Sequence, residues 1–95
     1  MIVGLYSYFD RKAHCYGAPF TAVNNDVAVR QFAGLIQDAG ARLAIYDTEL
    51  YKVGEFDGDN GVVVPCQVEF ICDYYKAADL ITGDECHMKV VSNNG

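Results

Sequence analysis

Aromatic and basic side chains cluster around one polar segment near the start of the chain. Tyr8 precedes the segment, Arg11 and Lys12 lie within it, and Tyr16 and Arg30 follow it. Proteins that hold single-stranded nucleic acid stack bases on aromatic rings beside Arg or Lys, at about 1 to 3 kcal/mol per base. These five residues therefore form a candidate nucleic-acid-binding set.

The same residues also have a purely structural interpretation. Tyr8 and Phe9 can belong to the core, and Arg11 and Lys12 can serve only to solubilise a turn. Arg30 has Asp26 four residues before it, the spacing of a helical ion pair. The seven tyrosines also favour a protein interface, where the ring packs and the hydroxyl meets a polar partner. Both interpretations stay open at the level of the sequence.

The four cysteines and two histidines do not have the spacing of a zinc site. His14 is adjacent to Cys15 and Cys86 is adjacent to His87, and no Cys-x-x-Cys pair occurs. Disulfides are rare in a reducing cytoplasm. We therefore expect free thiols and no bound metal.

Two further kinds of site are disfavoured by the sequence. The segment 57–61 alternates acidic residues and glycine as a calcium loop does, but Gly61 and Val62 occupy positions where a ligand and a glycine are required, so it predicts a turn. His14 and Cys15 cannot activate each other, because neighbours on a strand point to opposite faces. Since no other nucleophile and base are paired by a known motif, we expect no enzymatic activity and no cofactor.

The net charge of −6 comes from the second half of the chain. Residues 1–46 hold four basic and three acidic side chains, whereas residues 47–95 hold three basic and ten acidic side chains. Nonspecific affinity for DNA depends on how many phosphates Lys and Arg neutralise. This distribution argues against strong, general DNA binding by a single copy.

The length and hydropathy of the chain predict one domain over residues 1–95, with a frayed tail at 92–95. Gly4 and Ser7 interrupt the apolar start, and no apolar run approaches the ~18 residues of a membrane span. We expect a cytoplasmic protein that does not associate with membranes.

A first hairpin is predicted near the start of the chain. Residues 2–10 are rich in aromatic and β-branched side chains and alternate between two largely apolar faces. After the polar segment 10–13, residues 14–23 can return as a second strand, which Pro19 restricts to an edge or a bulge. One face of the first strand should present Val3, Leu5, Ser7 and Phe9.

A helix and a second hairpin follow. Asn24 and Asn25 can cap a helix that Gly40 ends, with Val29, Phe32, Ala33 and Ile36 on its apolar side. Residues 43–46 are expected to be extended, and 49–56 and 62–71 to pair around the turn at 57–61. A short helix is expected over 73–81. The predicted fold class is α+β, with a small antiparallel sheet of two β-hairpins, one main amphipathic helix between them (ββαββ) and a short C-terminal helix.

A spaced series of residues resembles a known family. The series comprises Tyr8-Phe9-Asp10-Arg11-Lys12-Ala13, Tyr16, Pro19-Phe20, Ala28, Arg30, Phe32, Gly54-Glu55-Phe56-Asp57 and Gly61. In order and spacing it is similar to the small nonstructural protein of gokushovirus-type microviruses, which are single-stranded DNA phages. The similarity covers residues 6–63, and the tail after Pro65 has no quotable counterpart.

The resemblance implies a nonstructural phage protein that acts late in replication, in the host cytoplasm. Its expected role is to turn the replication complex toward synthesis and packaging of single-stranded genomes. The expected partners are single-stranded DNA or the viral or host replication complex, the procapsid, and a second copy in a homodimer, which open strand edges favour. The alternative is a pure protein-interaction factor that binds a host replication protein or procapsid without touching DNA.

Overall fold

The computed structural model describes residues 1–39 and 45–80. One antiparallel sheet and two helices make up this part of the chain, so the α+β class is confirmed. The elements are β1 (Ile2–Asp10), β2 (Cys15–Tyr16), β3 (Phe20–Ala22), α1 (Asn25–Ala39), β4 (Thr48–Asp57), β5 (Val62–Asp73) and α2 (residues 74–80). The strand order is β2-β1-β4-β5, and β3 lies beside β2 along the same edge of β1.

The observed order of elements differs from the expected ββαββ arrangement in the first hairpin. The expected strand 14–23 is divided into β2 and β3, with residues 17–19 between them. Pro19 lies in this gap, and proline cannot donate a backbone hydrogen bond to a ladder. Both pieces still pair with β1, with Phe9 opposite Tyr16 and Tyr6 opposite Phe20.

Some expected boundaries fall outside the described residues. These are the helix end at Gly40, most of the extended segment 43–46, the end of the last helix at Ile81 and the tail 92–95. Ile45 and Tyr46 are described and lie outside the strands. The start of α2 agrees with the sequence, because the Asp73 carboxylate accepts a hydrogen bond from Lys76 N at 2.9 Å and so caps the helix.

The core lies between α1 and one face of the sheet. Tyr6, Phe32 and Leu50 are its largest fully buried side chains. The alternation of β1 explains this placement, because Tyr6 and Tyr8 project toward the helix while Ser7 between them projects away. The other buried core residues are Ala22, Ala28, Ala33, Ile36, Cys72 and Ala77.

The start of α1 is fixed by two asparagines. Asn24 Oδ1 accepts a hydrogen bond from Val27 N at 2.9 Å, so Asn24 is the N-cap that the sequence predicts. Asn25 Oδ1 accepts a hydrogen bond from the Tyr6 hydroxyl at 2.6 Å. This second contact attaches the first turn of the helix to the middle of β1, and it satisfies a phenol that is otherwise buried.

The two hairpin turns share one geometry. In the first turn, His14 N donates to Asp10 O at 2.8 Å, and the Asp10 carboxylate accepts from Lys12 N at 2.8 Å. In the second turn, which begins at Asp57, Gly61 N donates to the aspartate carbonyl at 2.8 Å, and the aspartate carboxylate accepts from the amide two residues later at 3.0 Å. Each turn closes with a left-handed residue, His14 at φ 57° and Gly61 at φ 69°.

Candidate nucleic-acid interface

Four aromatic rings form a row across the face of the sheet opposite α1, which we call the open face. Each of β2, β1, β4 and β5 contributes one ring, from Tyr16, Phe9, Tyr51 and Phe70 respectively. Successive ring centroids lie 4.8, 5.9 and 5.5 Å apart, and Tyr16 is also 5.7 Å from Tyr51. We call these four residues the aromatic row.

Strand register places the four rings together. Phe9 pairs with Tyr16 on β2, and Tyr51 pairs with Phe70 on β5. Tyr51 lies opposite Ser7 on β1, so it is the diagonal neighbour of Phe9 on the same face. The rings contact one another mainly at tilted or edge-to-face angles of 50° to 80°, an arrangement that aromatic quadrupoles favour.

The two ends of the aromatic row are open to solvent. Tyr16 is 47% exposed and Phe70 is 52% exposed, whereas Phe9 and Tyr51 between them are half-buried. A base or another planar group could therefore stack on either end ring. The inner rings mainly hold the end rings in place.

Arg11 and Lys12 stand beside the row, in the turn that follows β1, and share one carboxylate. Arg11 Nη2 donates to Asp47 Oδ1 at 3.2 Å and to Tyr46 O at 3.3 Å, and Lys12 Nζ lies 3.4 Å from Asp47 Oδ2. Arg11 Nε is also 3.7 Å from Glu49 Oε2. Both cations therefore have acidic partners within the chain.

These ion pairs do not bury the cations. The Arg11 side chain remains 48% exposed and that of Lys12 82% exposed. Pairs at such exposed positions typically contribute about 0 to 1 kcal/mol, so an incoming anion can compete for them. The turn is therefore accessible, but its positive charge is partly neutralised before any ligand arrives.

Glu49 links the cations to the aromatic row. Its Oε1 accepts a hydrogen bond from the Tyr51 hydroxyl at 3.2 Å, while Oε2 faces Arg11. Burial, followed by the charge and hydrogen bond of Glu49, raises the pKa of Tyr51, and Arg11 opposes this shift. The Tyr51 phenol therefore stays protonated and acts as a donor at neutral pH.

Two of the five predicted binding residues lie elsewhere. Tyr8 projects toward α1, where its ring centroid is 5.0 Å from Phe20 and 5.1 Å from Phe32, and burial raises the pKa of Tyr8 to about 12. Arg30 is exposed on α1 and lines a groove between that helix, the end of β5 and α2. The structure thus brings together Arg11, Lys12 and Tyr16, but not Tyr8 or Arg30.

The alternative role for Arg30 is also not observed. Asp26 and Arg30 are both described, and no ion pair joins them. Spacing four residues apart on a helix permits such a pair, but exposed side chains gain little from forming it.

The sequence prediction missed three members of the aromatic row: Phe9, Tyr51 and Phe70. The alternation of β1 groups Phe9 with Ser7 on one face, and the structural interpretation assigns Phe9 to the core, whereas its ring lies half-buried on the open face. Tyr51 and Phe70 come from strands that meet β1 only through long-range pairing. The available signal was that both are aromatic residues within an expected hairpin.

Comparison with known proteins identifies the family. The model of the phage ORF5 protein family matches residues 3–79, which include all seven elements of the fold except the first residue of β1 and the last residue of α2. No curated protein and no solved structure matches the chain. Neither helix, within the part of the chain that the structure describes, has the length and hydropathy of a membrane span. The chain therefore belongs to the phage ORF5 protein family and is a small bacteriophage protein.

Proposed function

We propose that this phage protein is a non-enzymatic factor that binds single-stranded DNA on its open face. The observation that supports the proposal is the aromatic row with exposed rings at both ends and the Arg11–Lys12 turn beside it. Single-strand-binding proteins combine the same two features, a stacking platform and nearby cations. Duplex DNA is disfavoured, because its bases are already stacked on one another.

Stacking should provide most of the affinity. Two exposed rings at about 1 to 3 kcal/mol per base give about 2 to 6 kcal/mol, which corresponds to dissociation constants from tens of millimolar down to tens of micromolar. The inner rings of Phe9 and Tyr51 add support rather than separate stacking sites. A single copy is therefore expected to bind short single strands weakly.

Phosphate contacts should add only a small, salt-dependent contribution. Arg11 and Lys12 lie in the turn beside the row, and each is partly neutralised by Asp47. If both contacted phosphates, the logarithm of the binding constant would fall against the logarithm of salt concentration with a slope of about −1.4. A much steeper slope would require cations from other parts of the surface.

The biological setting we propose follows the resemblance to the nonstructural protein of gokushovirus-type microviruses. In this setting the protein acts in the host cytoplasm on newly made single strands or on the replication complex that makes them. It would favour synthesis and packaging of single-stranded genomes. The weak binding expected of one copy suits a factor that must release the strand to a procapsid.

A pure protein-interaction factor is the second candidate. The occupied state of the cations favours it, because Asp47 and Glu49 neutralise the positive charges that phosphates would need. Exposed Tyr and Phe side chains also serve as anchors in protein interfaces. Under this alternative, the open face binds a host replication protein or the procapsid.

Fluorescence anisotropy with a labelled oligothymidylate separates the two candidates. Binding at low salt should weaken at least tenfold in the Tyr16→Ala/Phe70→Ala double variant, because both end rings are lost. The Arg11→Ala/Lys12→Ala double variant should weaken binding and flatten its salt dependence.

The matched control is the Arg30→Ala/Lys76→Ala double variant. It removes the same charge from the groove beside α1 and should retain most of the affinity. Equal losses in both charge variants would show that only net charge matters. No binding by the wild type at low salt would refute the DNA proposal and leave the protein-interaction candidate.

A further inference from the structure

The outer strand of the sheet exposes a long strip with one charged residue. Among the strands of residues 1–39 and 45–80, β5 is the last in the strand order, and all residues from 62 to 70 are exposed. Five of these nine are large apolar side chains with exposed fractions of 42% to 57%: Val62, Val63, Val64, Val68 and Phe70. Single exposed apolar residues are ordinary, but a run of this length on an open edge marks an interaction surface or an aggregation hazard. We call residues 62–70 the β5 strip.

The charge of the β5 strip restricts what can cover it. Glu69 is its only charged residue, and it contains no Lys or Arg. A nucleic acid stacked on Phe70 would find no phosphate partner along residues 62–68. A second copy of the chain would meet no repulsion over residues 62–68, even though each chain has a net charge of −6.

We propose that the β5 strip pairs antiparallel with the β5 strip of a second copy around a two-fold axis. In such a pair each residue contacts a residue that contacts it in return, so one strand is its own complement. Full overlap of residues 62–70 places Cys66 opposite Cys66 of the partner subunit. It also places Val63 opposite Glu69 of the partner subunit, and Val64 opposite Val68 of the partner subunit.

This register separates the like charges. Residue 69 lies three positions from the axis, so the two Glu69 carboxylates are about 20 Å apart along the strands. That separation exceeds the Debye length of about 8 Å at physiological salt. Each Glu69 faces an apolar valine rather than a like charge.

The centre of the strip limits the strength of the pairing. Gly54 on β4 pairs with Pro65 and Lys52 pairs with Glu69, so residues 66–68 bulge away from regular pairing. Pro65 also lacks an amide donor. The intersubunit ladder would therefore form in two short pieces, 62–64 with 68–70 on each side of the axis. The Cys66 side chains would meet between them.

The size of the strip predicts a weak dimer. A standard interface uses about 20 to 30 residues and about 800 Å² from each partner, and the strip supplies nine. Association should therefore depend on concentration over the micromolar to millimolar range.

Because the axis is perpendicular to the sheet, both open faces would lie on the same side. The dimer does not depend on the proposed DNA binding.

Thiol crosslinking tests the register directly. Facing residues of antiparallel strands have Cα atoms about 4.5 to 5.5 Å apart, which a disulfide can span. In a Cys15→Ser/Cys86→Ser variant, the exposed Cys66 and the buried Cys72 remain. Burial raises the pKa of Cys72 to about 11, so that thiol reacts slowly. Diamide should then convert the protein to a covalent dimer.

The matched control retains another exposed thiol. A Cys66→Ser/Cys86→Ser variant keeps Cys15, which is also exposed but lies on the opposite edge of the sheet. Its dimer should form at least tenfold more slowly under the same diamide treatment. Equal rates in the two variants would overturn the proposal.

Introducing opposite charges at one position gives an independent test, with the dimer measured by sedimentation velocity between 10 µM and 1 mM. Val63→Lys would face Glu69 of the partner subunit and should tighten the dimer about two- to thirtyfold, since two such pairs form. Val63→Glu should weaken it by a similar factor. Shifts in the same direction for both variants, or a wild type that stays monomeric at 1 mM, would overturn the proposal.

Discussion

Replacing Asp47 by asparagine should increase the affinity of the protein for single-stranded DNA. The Asp47 carboxylate lies 3.2 Å from Arg11 Nη2 and 3.4 Å from Lys12 Nζ, so it neutralises both cations beside the aromatic row. Asparagine has nearly the same shape and keeps an oxygen acceptor for Arg11. The substitution therefore removes a charge while preserving the turn.

The expected gain follows from Coulomb's law. A phosphate that contacts both cations would lie about 7 Å from the Asp47 carboxylate. At a dielectric constant of about 80, removing that repulsion is worth about 0.6 kcal/mol, and at about 40 it is worth about 1.2 kcal/mol. These energies correspond to about a three- to sevenfold tighter dissociation constant.

Anisotropy titrations of a labelled oligothymidylate between 20 and 200 mM salt would measure the gain. The control is Asp38→Asn, which changes the net charge equally at an exposed position on α1. The melting temperature of Asp47→Asn should stay close to that of the wild type, because exposed ion pairs contribute little stability. If Asp47→Asn binds no more tightly than Asp38→Asn, the turn does not contact phosphate and the reasoning is refuted.

Three further predictions concern stability in thermal or denaturant unfolding. His14→Gly should raise the free energy of unfolding by up to about 1 kcal/mol, whereas Gly61→Ala should lower it by about 1 kcal/mol, since both positions have left-handed φ. A destabilised His14→Gly variant together with a stabilised Gly61→Ala variant would contradict the described turns. Gly54→Ala should lower the free energy of unfolding by about 1 to 3 kcal/mol, because the new Cβ would lie 2.9 Å from a β5 carbonyl oxygen. The control Gly34→Ala has open space around the new methyl group and should be neutral or stabilising. Hydrogen bonds from the second turn lower the pKa of Asp57, so its contribution to stability is present above the ordinary carboxyl pKa of about 3.9 and is lost as the pH falls below it. Asp57→Asn should therefore reduce the loss of stability on acidification, and an unchanged pH dependence below about pH 4 would contradict the prediction.

Local patterns were sufficient to predict most elements of the fold. The alternation over residues 2–10 identified β1 and its two faces, and the asparagines before residue 26 identified the start of α1. The glycine-rich segment 57–61 identified the second turn. Each of these features depends on neighbours in sequence, where propensity and side-chain period act directly. The division of the returning strand was only partly foreseen, because Pro19 indicates an irregularity without fixing its extent.

The candidate site was less predictable because it depends on strand register. Arg11 and Asp47 are 36 residues apart, and their contact requires β1 and β4 to pair in one register. That register contains a bulge between Leu5 and Tyr6, which the sequence does not mark. Tyr51 and Phe70 joined the aromatic row for the same reason. The sequence predicts Tyr8 as a site residue from its neighbours in the chain, although its side of β1 faces the helix.

The pairing of β1 with β4 has a consequence for how the molecule folds. Each turn is closed by the carboxylate of its own first residue, so both hairpins can form from nearby segments within about microseconds. Joining β1 to β4 requires the chain to close a loop that contains α1, and long-range closure slows folding. The pairing of β1 with β4, here called the seam, should be the late, rate-limiting event. Substitutions in the turns would then alter early collapse, whereas substitutions along the seam would set how fast the native state appears.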